Sequence, residues 1–284
     1  MSQESKALYK TPNFRTLSRR SVCGSIIAAG TLSATQLCGQ VSEEFSAVEL
    51  PPIPEKYQSL TFEDPQDFEF VTKPQGTAPA PQEDWDIARA IIASAPTKTR
   101  PVLVAKYFLD VAAGKYGEKS RYFTRAWPRN APANPLIVSF FEKIKSNPRG
   151  DETPWCAAFV NWCLIQASRN ITGESPPTKS ASSGSFRTWG SSFLKYDATT
   201  NAFVGELKPH AGDIAVFALV ESDGSLNPTQ GHVAFFLDFV NDGVRVLGGN
   251  QFEGRPIVHA INVKTIPKRG RLQLVSIRSD PSLR

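Results

Sequence analysis

Of 284 residues, four are cysteine and three are histidine, so thiol chemistry has few places to occur. Two of the cysteines share the stretch "DETPWCAAFVNWCLIQ", residues 151 to 166. If Thr153 caps a helix with Pro154 at its first position, Cys156 falls in the first turn, at the third helical residue. Backbone N–H groups are unpaired there and the macrodipole is positive, which favours thiolate over thiol. The same N–H groups can hold an oxyanion that develops beside the sulfur. Cys163 lies two turns deeper in an apolar run and reads as a small core residue. Seven residues of helix rise about 10.5 Å, too far for a disulfide between them.

A nucleophilic thiol needs a base and a group to orient that base. His232 follows Gln230-Gly231 at the start of a strand, where a side chain can meet a cleft, and is the expected base. His210 lies in the turn "KPHAGD" and reads as a surface residue. His259, mid-strand in "PIVHAINV", reads as a half-buried histidine. For the orienting group, "HVAFFLDFVNDGVRVLGGNQ" reads as a hairpin turning at Asn241-Asp242-Gly243. A three-residue loop sets residue 252 across from His232, with Asn250 one diagonal step away, about 7–8 Å. A two-residue loop shifts the register by one and brings Gln251 to that face instead. Asp238 shares the face but is six residues on, about 20 Å along the strand. The expectation is therefore Cys156, His232 and Asn250 as catalytic residues, with Gln251 in reserve. Trp155 and Gln251 are candidate substrate contacts, although Trp155 reads equally as a core aromatic. Each signal is ordinary alone. Cysteine on a helix start, then histidine on a sheet, then asparagine is a papain-type order.

The elements that must position these groups are helices first and strands after. "EDWDIARAIIASA" and "PVLVAKYFLDVAA" have apolar residues at helical spacing, and "NPLIVSFFEKIK" is a helix with Asn134 as N-cap and Pro135 at its first position. Residues 114 to 130 read as an irregular polar and aromatic loop. After the cysteine helix come a Pro, Ser and Gly-rich loop and a short amphipathic piece, "FRTWGSSFL". Then "DIAVFAL", "HVAFFLDFV", "GVRVLGG", "PIVHAINV" and "RLQLVSIR" read as strands of an antiparallel meander. Asp213, in the turn before the first of them, reads as structural, and Asn161 and Trp162 as packing. The fold class is α+β, with N-terminal helices packed on a small antiparallel β-sheet.

"TPWCAAFVNWCL", "PHAGDIAVF", "GHVAFFLDF" and "VLGGNQ", with "NPLIVSFFEKI" upstream, resemble the CHAP (cysteine, histidine-dependent amidohydrolase/peptidase) family, in particular a bacterial branch with TPWC and GGNQ motifs. The resemblance spans about residues 84 to 280. It implies a papain-like α+β fold that cleaves amide bonds in the peptide part of peptidoglycan, with stem peptides as the partner. It also implies Cys156 as nucleophile, His232 as general base and acid, and Asn250 as orienting group. Many CHAP domains carry an acidic residue two positions before that asparagine; here it is Gly248, so the third role rests on Asn250 alone.

The remainder of the chain bears on where this chemistry takes place. The formal charge is +5, of which residues 1 to 34 hold +4. That leaves no basic surface cluster to track phosphates, so nucleic acid is not an expected partner. The basic segment leads into "SRRSVCGSIIAAGTLSATQ", a charged region and then a mild apolar run too short for the roughly 20 residues of a membrane span. Arg19-Arg20 resembles a twin-arginine export signal; the plainer reading is a basic tail. Residues 1–40 are thus assigned as export signal, 41–83 as a Pro-rich acidic linker, and 84–284 as the hydrolase domain, periplasmic or secreted and without a stable membrane anchor after signal removal. "TQLC" lacks the small residues expected before a lipidated Cys38. Three scattered histidines and two domain cysteines offer no metal-ligand spacing, and no cofactor is expected. The competing readings are a catalytically silent wall-binding module and a cysteine hydrolase of another amide.

Overall fold

In a computed structural model of the protein, residues 78–128, 131–144, 146–168, 177–254 and 257–284 are described. The export-signal assignment and nearly all of the linker lie outside these residues. The first helix, α1 (Gln82–Ala93), has Glu83 and Asp84 in its first turn and buries Ala88 and Ile91. α2 (Pro101–Ala112) starts on a proline and buries residues on most of its circumference, among them Val104, Phe108 and Leu109. Within the stretch expected to be irregular lies a one-turn helix, α3 (Glu118–Tyr122). α4 (Pro135–Glu142) begins as expected: the Asn134 side chain accepts from the Leu136 amide at 2.9 Å. No helix among the described residues is long and apolar enough to cross a membrane.

The cysteine helix, α5 (Cys156–Ala167), starts two residues later than its sequence suggests. Thr153 does not cap it. That residue precedes a proline and is extended, with ψ 128°, as the clash with the proline ring demands. Its hydroxyl instead accepts the Arg149 amide at 2.9 Å, closing a 3-10 turn at Gly150–Glu152. Trp155 stands at the N-cap without a side-chain bond. Cys156 is therefore the first helical residue rather than the third.

Seven strands follow: β1 (Ser192–Asp197), β2 (Ala202–Val204), β3 (Ile214–Val220), β4 (Leu226–Val240), β5 (Gly243–Glu253), β6 (Val258–Pro267) and β7 (Leu272–Ser279). They form one sheet in the order β2-β1-β7-β3-β4-β5-β6, every neighbouring pair antiparallel. The fold is α+β, and the five expected strands are all present. The β1–β2 hairpin was not anticipated, because β1 is half exposed and short, and its residues overlap a piece that reads as amphipathic.

Period-2 alternation divides the sheet into two apolar faces. Ile214, Val216, Val233, Phe235, Leu247 and Ile261 join the helical core around Phe108, Phe140, Phe159 and Trp162. Ala215, Phe217, Ala234, Phe236 and Val246 form a second cluster with Leu194 and Tyr196. The outer edge of β6 is covered by the chain itself, since the Ala126 amide donates to His259 O at 2.7 Å and the Ile261 amide to Thr124 O at 3.0 Å. Without that cover, the edge would offer unpaired backbone groups to another chain. Asp213 has the structural role expected of it. It is fully buried, accepts the His210 amide at 2.8 Å and the Ser279 hydroxyl at 2.7 Å, and pairs with Arg284 at 3.1 Å. The His210 side chain is exposed.

Candidate active site

Cys156 is 3% exposed at the first turn of α5. Burial pushes its thiol up to about 11, against the opposing pull of backbone groups of Val233, Ala157 and Cys156 itself. Two of these belong to the free amides of the helix start. The third comes from β4, one residue after His232. The sulfur thus meets the backbone of the histidine strand at the residue after His232. Cys163 is fully buried and its thiol is pushed well up by burial alone, as a core residue would be.

The His232 ring is 4% exposed, and its Nε2 lies 3.1 Å from Gln251 Oε1. The Gln251 amide can be oriented from its surroundings. Its Nε2 donates to Asn262 O at 2.7 Å and Asn262 Oδ1 at 2.9 Å, with Gly248 O at 3.4 Å. With three oxygens around the nitrogen, the amide oxygen must face His232, and the histidine must carry its proton on Nε2. Nδ1 is then the basic nitrogen. Burial is the main cause that moves the imidazole down to about 4; the Gln251 bond opposes it and the nearby His259 adds to it.

Asn250, the residue expected to orient the histidine, does not reach it. Its Oδ1 lies 2.6 Å from Nδ1 of His259. The cause is register. The hairpin closes on two residues, pairing Val240 with Gly243, rather than on three. A bulge between Phe236 and Asp238 then shifts the β4–β5 ladder, and an irregularity between Gly248 and Gln251 shifts β5 against β6. Asn250 sits in that second kink with φ 60°, and Gln251, the reserve candidate, is the residue delivered to His232.

Trp155 is corrected from a possible cleft wall to a core residue. It is fully buried, stacked on Phe140 at 6.1 Å and edge-on to Phe159 at 6.4 Å. The two glycines of "GGNQ" make room for this arrangement. A Cβ on Gly249 would lie 2.3 Å from the Trp155 ring, and one on Gly248 would lie 2.8 Å from Ala234 and 3.2 Å from Gln251 Oε1.

Two buried asparagines do more than the sequence suggests. Asn262 fixes Gln251 and in turn donates to Phe252 O at 3.1 Å. Its only sequence signal is an amide set between Ile261 and Val263 in a strand. Asn161, expected to be packing, ties the loop after α5 to the helix: it donates to Ser180 O at 3.0 Å and accepts from the Thr178 amide at 3.0 Å.

With this geometry in hand, the comparison with known families is decisive, for the family model of the CHAP domain matches residues 148–250. Residues 148–250 form a CHAP domain. No curated protein and no solved structure matches the chain. The CHAP match contains Cys156 and His232 and ends at Asn250, one residue short of the glutamine that holds the histidine. CHAP domains as a class are cysteine- and histidine-dependent amide hydrolases, and the match holds both a cysteine at a helix start and an oriented imidazole. Among the described residues no group of three or more His, Cys, Asp or Glu is placed to hold a metal ion.

Proposed function

We propose that this protein is an exported cysteine amidohydrolase or endopeptidase that cleaves amide bonds in the peptide part of peptidoglycan. The observation that carries the reading is the His232–Gln251 bond on a strand whose next residue, Val233, bonds the Cys156 sulfur through its backbone at a helix start. Nδ1 of His232 takes the thiol proton as the Cys156 sulfur attacks the scissile carbonyl carbon. The tetrahedral oxyanion is held by free amides of the α5 start, and the imidazolium by Gln251 Oε1. Nδ1–H then protonates the leaving amine, the C–N bond breaks and a thioester remains. Water, deprotonated by the same nitrogen, releases the acid and restores the thiol. The peptidoglycan substrate rests on the resemblance in the motifs, and export on the Arg19-Arg20 segment. If the export reading holds, replacing Arg19 and Arg20 by lysine leaves the precursor in the cytoplasm; normal export of that variant would refute it.

One observation favours a silent, wall-binding module instead: the thiol is buried and pushed up to about 11. A single experiment separates the readings. The full chain is incubated with peptidoglycan beside its Cys156→Ala and Cys163→Ala variants, and new amines and fragments are identified by mass spectrometry. The expected result is fragments from wild type and Cys163→Ala, with loss of at least about 10³-fold in Cys156→Ala. Sedimentation with the wall but no fragments from any variant would support the binding module. Small peptide amides are incubated in parallel, and their cleavage without wall fragments would point to another amide substrate.

A further inference from the structure

A second histidine–amide pair lies beside His232 and Gln251, and both pairs draw on one short stretch of β5. Asn250 is the one non-glycine residue within a described strand that has a left-handed backbone, φ 60°. Asparagine tolerates that conformation better than most residues, but it still needs support. The kink inserts extra chain into β5: Gly248 pairs with Asn262, whereas Gln251 pairs with Ala260. Its consequence is that the residue after Asn250 turns toward His232.

What supports the kink is His259. Its Nδ1 is 2.6 Å from Asn250 Oδ1, and its Nε2 is buried without a hydrogen-bond partner, so Asn250 takes the ring's one polar contact. The ring is itself held. Its edge meets Phe252 at 4.8 Å between centroids, and its backbone carbonyl accepts from Ala126 in the segment that covers β6. We infer that His259 is a positioning residue of the active site: by holding Asn250 in its left-handed turn, it sets the register that delivers Gln251 to His232. The inference rests on the reading of His232 and Gln251 as the working pair, and it assigns a task to an otherwise ordinary strand histidine.

The test needs no substrate for its first readout. In the ¹⁵N-labelled full chain, long-range ¹H–¹⁵N spectra of the imidazoles report which nitrogen of His232 carries the proton. Wild type is expected to show a single Nε2–H tautomer. His259→Phe, which keeps an aromatic ring and removes the bond, is expected to give mixed tautomers. Its kcat on peptidoglycan should fall on the order of tenfold with KM within about twofold. Asn250→Gly should keep the Nε2–H tautomer, because glycine enters the left-handed region unaided, and adding His259→Phe to it should change nothing further. Asn250→Ala leaves His259 in place and should also give mixed tautomers, which covers the case in which His259→Phe fails to fold. The inference is overturned if His259→Phe and Asn250→Ala both retain the single tautomer, or if the double variant drops below Asn250→Gly as far as His259→Phe drops below wild type. A wild type that shows these tautomers but releases no peptidoglycan fragments would sink the peptidoglycan reading and leave the positioning role standing.

Discussion

Gln251 holds a proton on His232 Nε2 and leaves Nδ1 free, so losing its amide should cost rate rather than affinity. Gln251→Ala is expected to lower kcat on the order of 10²-fold with little change in KM. Steady-state release of amines measures both, and an unchanged kcat would return the orienting role to another residue. The protonation states predict the pH dependence as well. With His232 moved down to about 4 and the Cys156 thiol up to about 11, the resting site is a neutral thiol and a neutral imidazole. The base is disabled only when protonated, below about pH 4, and the thiol still holds its proton up to about pH 11. A profile of kcat/KM is therefore expected to be flat between about 5 and 10. An alkaline limb near pH 8 to 9 would instead report a resting thiolate–imidazolium pair.

At the scale of elements, the site depends on how closely β5 approaches α5. Gly249 lies under the Trp155 ring, and no side chain fits there. Gly249→Ala should overpack the contact and destabilise the fold by about 1–3 kcal/mol, seen as an earlier urea midpoint. Gly248→Ala meets both Ala234 and Gln251 and should lower stability and kcat together. A wild-type midpoint for Gly249→Ala would mean that the helix can retreat at no cost. The same elements show what was legible in the sequence. The helix pattern, the Asn134 cap and the apolar strands were readable because they follow local periodicity and capping chemistry. Cys156 was readable because it stands at a helix start; His232 reads as opening a strand, but β4 already begins at Leu226, so it lies inside the strand instead. Asn250 was preferred over Gln251 because face assignment counts residues from the turn, and two bulges lie between the turn and the site. A bulge is an extra residue without a compositional mark, apart here from an asparagine that tolerates positive φ. Thr153 misled for a related reason: a side chain suited to capping was already committed to the turn before it.

At the scale of the whole molecule, the two site histidines link catalysis to acid stability. His232 and His259 are both held near 4 by burial, whereas an unfolded histidine titrates near 6.5. Below pH 6.5 the unfolded chain takes up protons that the folded chain refuses, so stability present at neutral pH is lost as pH falls toward 4. Each histidine can account for roughly 3 kcal/mol over that window, a large share of the 5–15 kcal/mol typical of a domain. Aspartates whose folded values are lowered, such as Asp197 at about 2 and Asp223, lose their contribution mainly below this window, so the two effects separate. The melting temperature is expected to hold from pH 8 to 6.5 and then to fall steeply to pH 4. Because His259→Phe removes one of the two proton acceptors from both states, its decline over the same range should be about half as steep, even if it starts from a lower value. Equal slopes for wild type and variant would mean that His259 already titrates in the folded protein as it does in the unfolded chain, and that its ring is open to water.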